Sequence, residues 1–187
     1  MRELILIVHT SLDGFVAGTK GELDGFAPGM ENLAFVTRIS EQGDTILSGR
    51  TTYELLNEYW TNAMHKPGAT PEEIAYSEWY NKAGKIVVSA AARPDDHKVV
   101  VWRENLADRV KELKQEPGKA IIIFGSPSVS LQLMRENLID IYWIFINPVL
   151  FGTGIPLFLS DVIKTTLKTG QVRKFQNGEV AIEFLRR

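Results

Sequence analysis

The chain has 187 residues, 44% of them hydrophobic and 24% charged, which is the balance of a globular protein and excludes a disordered one. A net charge of −2 offers no broad basic surface, so we expect no nucleic-acid partner. The sequence has no cysteine, which excludes disulfides and thiolate metal sites. Because no run approaches the roughly 20 apolar residues of a membrane helix, we expect no membrane partner and a cytoplasmic protein. Residues 1–187 are predicted to form a single domain.

Short apolar runs rich in β-branched residues recur along the first two thirds of the chain. Runs without polar alternation are typical of strands that are buried on both faces of a parallel sheet. The predicted strands are residues 4–8, 45–48, 86–89, 99–102 and 121–124.

Helices are predicted between these strands. Thr70 and Glu73 form a capping box around Pro71, and Gly84 is placed to end that helix. A second capping box is predicted for residues 51–54, and an amphipathic helix follows near residue 106. Residues 60–70 are polar and irregular, which indicates a loop with some mobility.

The last third of the sequence has a different pattern, with longer predicted strands and a hairpin signal. A strand is predicted over residues 140–147, and two further strands, 171–175 and 180–185, flank the hairpin signal Asn177-Gly178. The predicted fold is therefore α/β, with a central, mostly parallel sheet that ends in antiparallel C-terminal strands.

The first candidate site is the strand-to-helix junction Gly49-Arg50-Thr51-Thr52. Free backbone N–H groups and the helix dipole favour an anion there, and the Arg50 guanidinium suits a phosphate. The alternative interpretation is an ordinary capped helix with a solvated arginine.

A second junction, Gly125-Ser126-Pro127-Ser128, has the same design. Ser126 is predicted to cap the helix, Pro127 to occupy its first position, and Gly125 to allow a close approach to a ligand. An ordinary capped helix is again the alternative. Two such junctions in one parallel sheet favour a ligand site, because ligands bind at the carboxyl edge of open α/β sheets.

The third candidate site follows the first strand and contains His9, Ser11 and Asp13. A packed histidine and a simple turn are the alternatives. Asp13 is a candidate substrate contact. The sequence has no hydrolase motif, and its three histidines lack metal-ligand spacing, so no metal site is predicted.

Five motifs in order resemble the dihydrofolate-reductase-like proteins related to the reductase domain of bacterial riboflavin biosynthesis. The motifs are Ser-Leu-Asp-Gly at 11–14, Leu-Ser-Gly-Arg-Thr-Thr-Tyr at 47–53, Lys-Ile-Val-Val-Ser at 85–89, Ile-Ile-Phe-Gly-Ser at 122–126, and Ile-Phe-Ile-Asn-Pro-Val-Leu-Phe-Gly-Thr-Gly-Ile-Pro-Leu-Phe at 144–158. The resemblance covers nearly the whole chain and implies a stand-alone member without a deaminase domain.

The resemblance implies a three-layer α/β/α fold, NADPH across the strand ends, a small-molecule substrate and a homodimer. His9 and Asp13 are the candidate catalytic residues, and Asp13 faces the substrate side. Ser89 lies near the adenosine 2′-phosphate, with Arg93 as a weaker candidate. The implied cofactor-binding residues are Thr10, Ala17, Gly18, Gly49, Arg50, Thr51, Thr52, Ser89, Gly125, Ser126, Pro127 and Ser128.

The sequence also departs from these relatives. The pterin-binding acid of dihydrofolate reductases aligns with Asn32 or Leu33, next to Glu31. Phe124 and Ile7 stand where the riboflavin-pathway reductases carry a glutamate and a lysine.

Three functions are open at this point. The first is an NADPH-dependent reductase of a small heterocycle, which resembles 5-amino-6-(5-phosphoribosylamino)uracil reductase. The second is a non-catalytic cofactor-binding or regulatory protein. The third is a divergent dihydrofolate reductase that uses Glu31 or Asp13.

Overall fold

The computed structural model describes residues 1–91, 99–158 and 164–187, which form a three-layer α/β structure. The strands are β1 (Leu4–Thr10), β2 (Phe15–Ala17), β3 (Gly43–Gly49), β4 (Gly84–Val88), β5 (Val99–Trp102), β6 (Ala120–Phe124), β7 (Ile141–Ile146), β8 (Ile155–Pro156), β9 (Leu167–Lys174) and β10 (Val180–Arg186). The helices are α1 (Met30–Ser40), α2 (Arg50–Trp60), α3 (Pro71–Lys82), α4 (Leu106–Gln115) and α5 (Pro127–Arg135).

The main sheet has eight strands in the order β5-β4-β3-β6-β1-β7-β10-β9. Neighbouring strands from β5 to β7 are parallel, and β10 is antiparallel to both of its neighbours. The predicted mostly parallel sheet with antiparallel C-terminal strands is therefore confirmed. The strand order reverses around β6 and β1, so the carboxyl ends of these two strands flank the crevice in which such sheets bind ligands.

The central strand β1 shows why the apolar runs have no polar alternation. Leu4, Leu6 and Val8 pack in one core together with residues of α4 and α5. Ile5 and Ile7 point to the opposite face and pack in a second core with residues of α1 and α3. Because helices cover both faces, every position of the strand interior is apolar.

The capping box predicted for α3 is confirmed, and the one predicted for residues 51–54 is wrong. Thr70 caps α3 with the reciprocal Glu73 bonds of a capping box, and Pro71 is the first helical residue. The box predicted for residues 51–54 does not form, because α2 already begins at Arg50 and has no side-chain cap. The Glu54 carboxylate instead accepts a hydrogen bond from the Arg50 guanidinium at 3.0 Å.

The segment predicted as an irregular loop contains a short 3-10 helix, Ala63–His65. Ser77 of α3 holds this turn from both sides. Its hydroxyl donates to the Trp60 carbonyl at 2.6 Å and accepts from the Met64 N–H at 3.3 Å.

A buried ion pair lies at the amino edge of the sheet, where the parallel strands begin, which is the edge opposite the crevice. Lys114 of α4 is 3% exposed, and its ammonium contacts the Asp140 carboxylate and donates to the Leu138 carbonyl at 3.0 Å. The Asp140 carboxylate also accepts from the Leu4 N–H at 2.8 Å and pairs with Arg186. One carboxylate therefore joins α4 and the ends of β1 and β10.

No helix of the described residues is both long enough and apolar enough to cross a bilayer.

Replacing Asp140 with alanine is expected to lower the free energy of unfolding by about 3 kcal/mol, because it leaves the buried Lys114 ammonium without its counter-ion. Urea denaturation measures the change. Asp108 of α4, whose side chain is 74% exposed beside Lys111, provides the control. Asp108→Ala is expected to cost less than about 1 kcal/mol. Equal losses in the two variants would contradict the role assigned to Asp140.

Candidate functional site

The predicted site residues converge on the carboxyl edge of the sheet. Strands β4, β3, β6 and β1 are parallel and lie close together in the sheet, so the segments that follow them emerge at the same edge. The Gly125 N–H donates to the Ile7 carbonyl at 3.0 Å, which fixes the β6 junction beside the end of β1. The two junctions predicted to bind phosphate and the His9 segment are therefore neighbours.

Ser126 connects the two junctions directly. Its hydroxyl oxygen accepts a hydrogen bond from the Gly49 N–H at 2.9 Å and donates to the Thr52 hydroxyl at 2.8 Å. The Ser126 side chain is therefore engaged with the other junction, and the predicted side-chain cap of α5 is wrong. Ser126 still occupies the N-cap position of α5, and Pro127 is the first helical residue as predicted.

The backbone of the second junction is strained. Gly125 has φ +48°, and Ser126, which carries a side chain, has φ 46° and ψ 65°. The left-handed conformation is energetically unfavourable for a residue that has a Cβ, such as Ser126. Such a conformation is retained where the surrounding structure imposes it, which is often at a ligand site. A Cβ on Gly125 would meet no atom within 4 Å. The space in front of Gly125 is therefore open to an approaching group.

The first junction presents its charge to solvent. Arg50 opens α2, and its side chain is 51% exposed while it pairs with Glu54. Thr51 is exposed beside it, and Thr52 is half-buried and bonded to Ser126. Helices leave the N–H groups of their first turn without intrahelical partners, so the start of α2 offers backbone donors and a guanidinium together.

The other predicted cofactor residues lie around these junctions. Ser89 follows β4, and its hydroxyl accepts from the Ala91 N–H at 3.1 Å. Thr10 ends β1 and is 4% exposed. Ala17 ends β2, which pairs with β8 in a small second sheet and packs against β1, and Gly18 follows directly. Arg93 lies outside the described residues, and Ser128 is exposed in the first turn of α5.

Asp13 holds the loop after β7. Its carboxylate accepts from the Phe151 N–H at 3.1 Å and from the Gly152 N–H at 2.8 Å. A hydrogen bond from the Ser11 side chain, together with these backbone bonds, lowers the pKa of Asp13 from 3.8 to about 2. Asp13 is therefore ionised at neutral pH and acts as a hydrogen-bond acceptor for the loop.

His9 belongs to a buried polar pair that the sequence did not reveal. Its Nδ1 lies 2.6 Å from Oε1 of Glu179, whose side chain is 0% exposed, while the His9 side chain is 29% exposed. The His9 ring stacks on Phe145 with 4.7 Å between centroids. The sequence signalled only the Asn177-Gly178 turn before Glu179, and nothing local connects Glu179 with His9, 170 residues away.

The residues at which the sequence departs from its relatives have other surroundings in this fold. Glu31 pairs with Arg173 at 2.8 Å, and the hydrogen bond from this guanidinium lowers the pKa of Glu31. Phe124 and Ile7 are core residues. Asn32 is 2% exposed, and its Nδ2 has no hydrogen-bond partner among the described residues.

A separate apolar pocket of about 510 Å³ lies on the α5 side of the sheet. The segment after β1 lines it with Thr10, Ser11, Leu12 and Gly14, and the rest of its lining comes from the C-terminal third of the chain. Among its lining residues are Tyr142, Ile144, Ile146 and Phe184. Across the described residues no cluster of three His, Asp or Glu side chains forms a metal site.

Comparison with known proteins agrees with this architecture. The model of the RibD C-terminal domain matches residues 2–181. The chain belongs to this family. The uncharacterized protein YyaP of Bacillus subtilis is 30% identical over 185 residues, which cover 98% of this chain and 94% of that protein.

Solved structures share the fold. A candidate riboflavin biosynthesis protein of Shewanella sp. PV-4 superimposes with a TM-score of 0.74 at 21% identity and covers 99% of both chains. The Thermotoga maritima diaminohydroxyphosphoribosylaminopyrimidine deaminase/5-amino-6-(5-phosphoribosylamino)uracil reductase gives 0.70 at 16% identity. The match covers all of this chain and 57% of that protein, so the chain spans little more than half of it. Membership of the RibD family supports a reductase-like role.

Replacing Ser126 with alanine is expected to lower the free energy of unfolding by about 1–3 kcal/mol, because the Gly49 N–H and the Thr52 hydroxyl lose their partner. Alanine keeps the Cβ, so the left-handed strain is unchanged and the difference reports the hydroxyl alone. Thermal denaturation measures the loss. Ser128→Ala, an exposed change in the same turn, is expected to stay within about 0.5 kcal/mol. A silent Ser126→Ala would show that the two junctions are not coupled.

Proposed function

We propose that the protein is an NADPH-dependent reductase of a small heterocyclic substrate, formed by a single domain and acting in the cytoplasm. The observation that carries the proposal is the pair of strand-to-helix junctions at one sheet edge, joined by the Ser126 hydroxyl. NADPH carries phosphate at two places, the pyrophosphate and the 2′-position of the adenosine ribose, and so needs more than one anion site.

The residues at this edge fit the cofactor. The open space in front of Gly125 allows a pyrophosphate to approach the backbone at the start of α5. Gly49, Arg50, Thr51 and Thr52 offer hydrogen-bond donors to a further phosphate. The exposed Arg50 guanidinium is a bidentate donor once it leaves Glu54. Bound NADPH would supply the hydride, and the protein positions the substrate and supplies the proton.

The contacts of the two candidate catalytic residues favour His9 as the source of that proton. Reduction of a C=N or C=O bond leaves a nitrogen or oxygen that must be protonated. Asp13, with its pKa lowered to about 2, holds no proton to give at neutral pH and is already bonded to the loop after β7. The His9 ring is partly exposed at the end of β1, beside the second junction.

The alternatives are less well supported. Glu31 is committed to Arg173 and to the Gln176 N–H, so it does not replace the acid of a dihydrofolate reductase without breaking these bonds. A non-catalytic cofactor-binding protein would keep the two junctions but would not need a polar pair at His9. Oxidation of NADPH in the presence of reducible heterocycles separates an enzyme from a binder.

We also propose that the protein is a homodimer that uses the sheet face carrying the apolar pocket. The register places Ile144, Ile182 and Val172 in one row across β7, β10 and β9. Val172 at the end of this row is 60% exposed, and Phe158, which also lines the pocket, is 52% exposed. An exposed apolar surface of this kind is typical of a protein interface, and a second copy of the chain presents the same row to it.

The purified protein is expected to bind NADPH more tightly than NADH in a fluorescence titration. Arg50→Ala is expected to weaken NADPH binding by roughly 10-fold or more, as loss of a charge-assisted hydrogen bond of about 1.5–3 kcal/mol predicts. Arg109→Ala, which removes an exposed arginine of α4, is the charge-matched control and should leave binding unchanged. No binding of either nucleotide would overturn the reductase proposal.

Val172→Lys is expected to convert the dimer to a monomer, because it places a charge in the proposed apolar interface. Sedimentation velocity measures the mass. Lys168→Ala on the same strand, which removes a charge and adds none, should leave the dimer intact. A wild-type protein that sediments as a monomer at micromolar concentration would contradict the proposal.

A further inference from the structure

The carboxylate of Glu179 is buried in an unusual way. One oxygen contacts Nδ1 of His9 at 2.6 Å, while the other, Oε2, has no hydrogen-bond partner among the described residues. A buried carboxylate is costly unless it is paired, and a purely structural pair is expected to use both oxygens. Only one of the two oxygens of this group has a partner within the described structure.

The surroundings of His9 fix its ring in one orientation. Glu179 contacts the edge that carries Nδ1, and Phe145 covers one face by stacking. The His9 side chain is still 29% exposed, so these two contacts do not close it off from solvent. A carboxylate on Nδ1 selects the tautomer of the neutral ring that carries its proton on Nδ1.

The same side of the sheet holds a second unsatisfied polar atom. Nδ2 of the buried Asn32 has no hydrogen-bond partner among the described residues. Asn32 lies three residues before Phe35 on α1, and Phe35 packs edge-on against Phe145, the ring beneath His9. Asn32 and Glu179 therefore each keep one buried polar atom without a partner among the described residues.

We propose that Glu179 is a positioning residue that orients His9 and makes it the proton donor of the reaction. In the step, the Nε2–H bond of the doubly protonated His9 breaks and an N–H or O–H bond forms on the substrate atom that gains electron density from the hydride. His9 is left neutral, with its Nδ1–H donated to Oε1 of Glu179, and water returns the lost proton. The reaction rests on the proposed reductase function, whereas the orientation of His9 does not.

The experiment compares wild-type protein with Glu179→Gln, which keeps the shape and removes the charge. Glu183→Gln, four residues further along the chain in β10, is the matched control, because Glu183 contacts the Gln171 N–H and not His9. Nitrogen-15 NMR of the histidine rings, assigned with His9→Gln, identifies the protonated nitrogen. The neutral His9 ring is expected to carry its proton on Nδ1 in wild type and Glu183→Gln, and to become a mixture of tautomers in Glu179→Gln.

Kinetics with any heterocycle that the wild type reduces provides the second readout. Glu179→Gln is expected to lower kcat roughly 100-fold relative to Glu183→Gln, as loss of general acid catalysis predicts, with an unchanged KM for NADPH and partial recovery in Glu179→Asp. Equal kcat values for the two glutamine variants would overturn the role in catalysis. A wild-type His9 protonated only on Nε2 would overturn the positioning even if no substrate is reduced, since the NMR result does not depend on the reductase function.

Discussion

Strand β1 is paired along both edges and covered on both faces, and this constraint organises the rest of the molecule. Its interior residues have to be apolar, because α1 and α3 cover one face and α4 and α5 cover the other. Polar residues are possible only where the strand leaves these layers. At its start the backbone bonds to Asp140, and at its end the chain reaches His9 and the turn that contains Asp13.

The two edges of the sheet therefore carry different kinds of polar chemistry. At the amino edge, Asp140 is saturated by Lys114, Arg186 and the Leu4 N–H, which is the pattern of a group that stabilises the fold. At the carboxyl edge, polar atoms are left with unused bonding capacity. Arg50 is exposed, the space at Gly125 is open, and Glu179 uses one oxygen. Unused capacity at the switch point of an open α/β sheet is what a ligand site requires.

The position of Ser126 in the fold could be predicted from the sequence, but its hydrogen-bond partners could not. Its place between β6 and α5 was predictable, because Gly-Ser-Pro between an apolar run and a helical pattern is typical of a helix start. Its bonds were not, because they join residues 77 and 74 positions apart in the sequence. The same holds for Glu54, which was expected in a capping box and instead pairs with Arg50, since α2 begins two residues earlier than the pattern suggested.

The sequence by itself determined the fold class, most of the strands, the capping box at Thr70 and the hairpin at Asn177-Gly178, because hydrophobic period and turn chemistry are local properties. It also placed the two junctions at strand ends. Only the tertiary structure decided which polar groups meet. The contact of His9 with Glu179 depends on β10 lying antiparallel beside β7, and Asp13 binds a loop that begins more than 130 residues later. Such pairings arise from strand order and register, to which no local pattern corresponds.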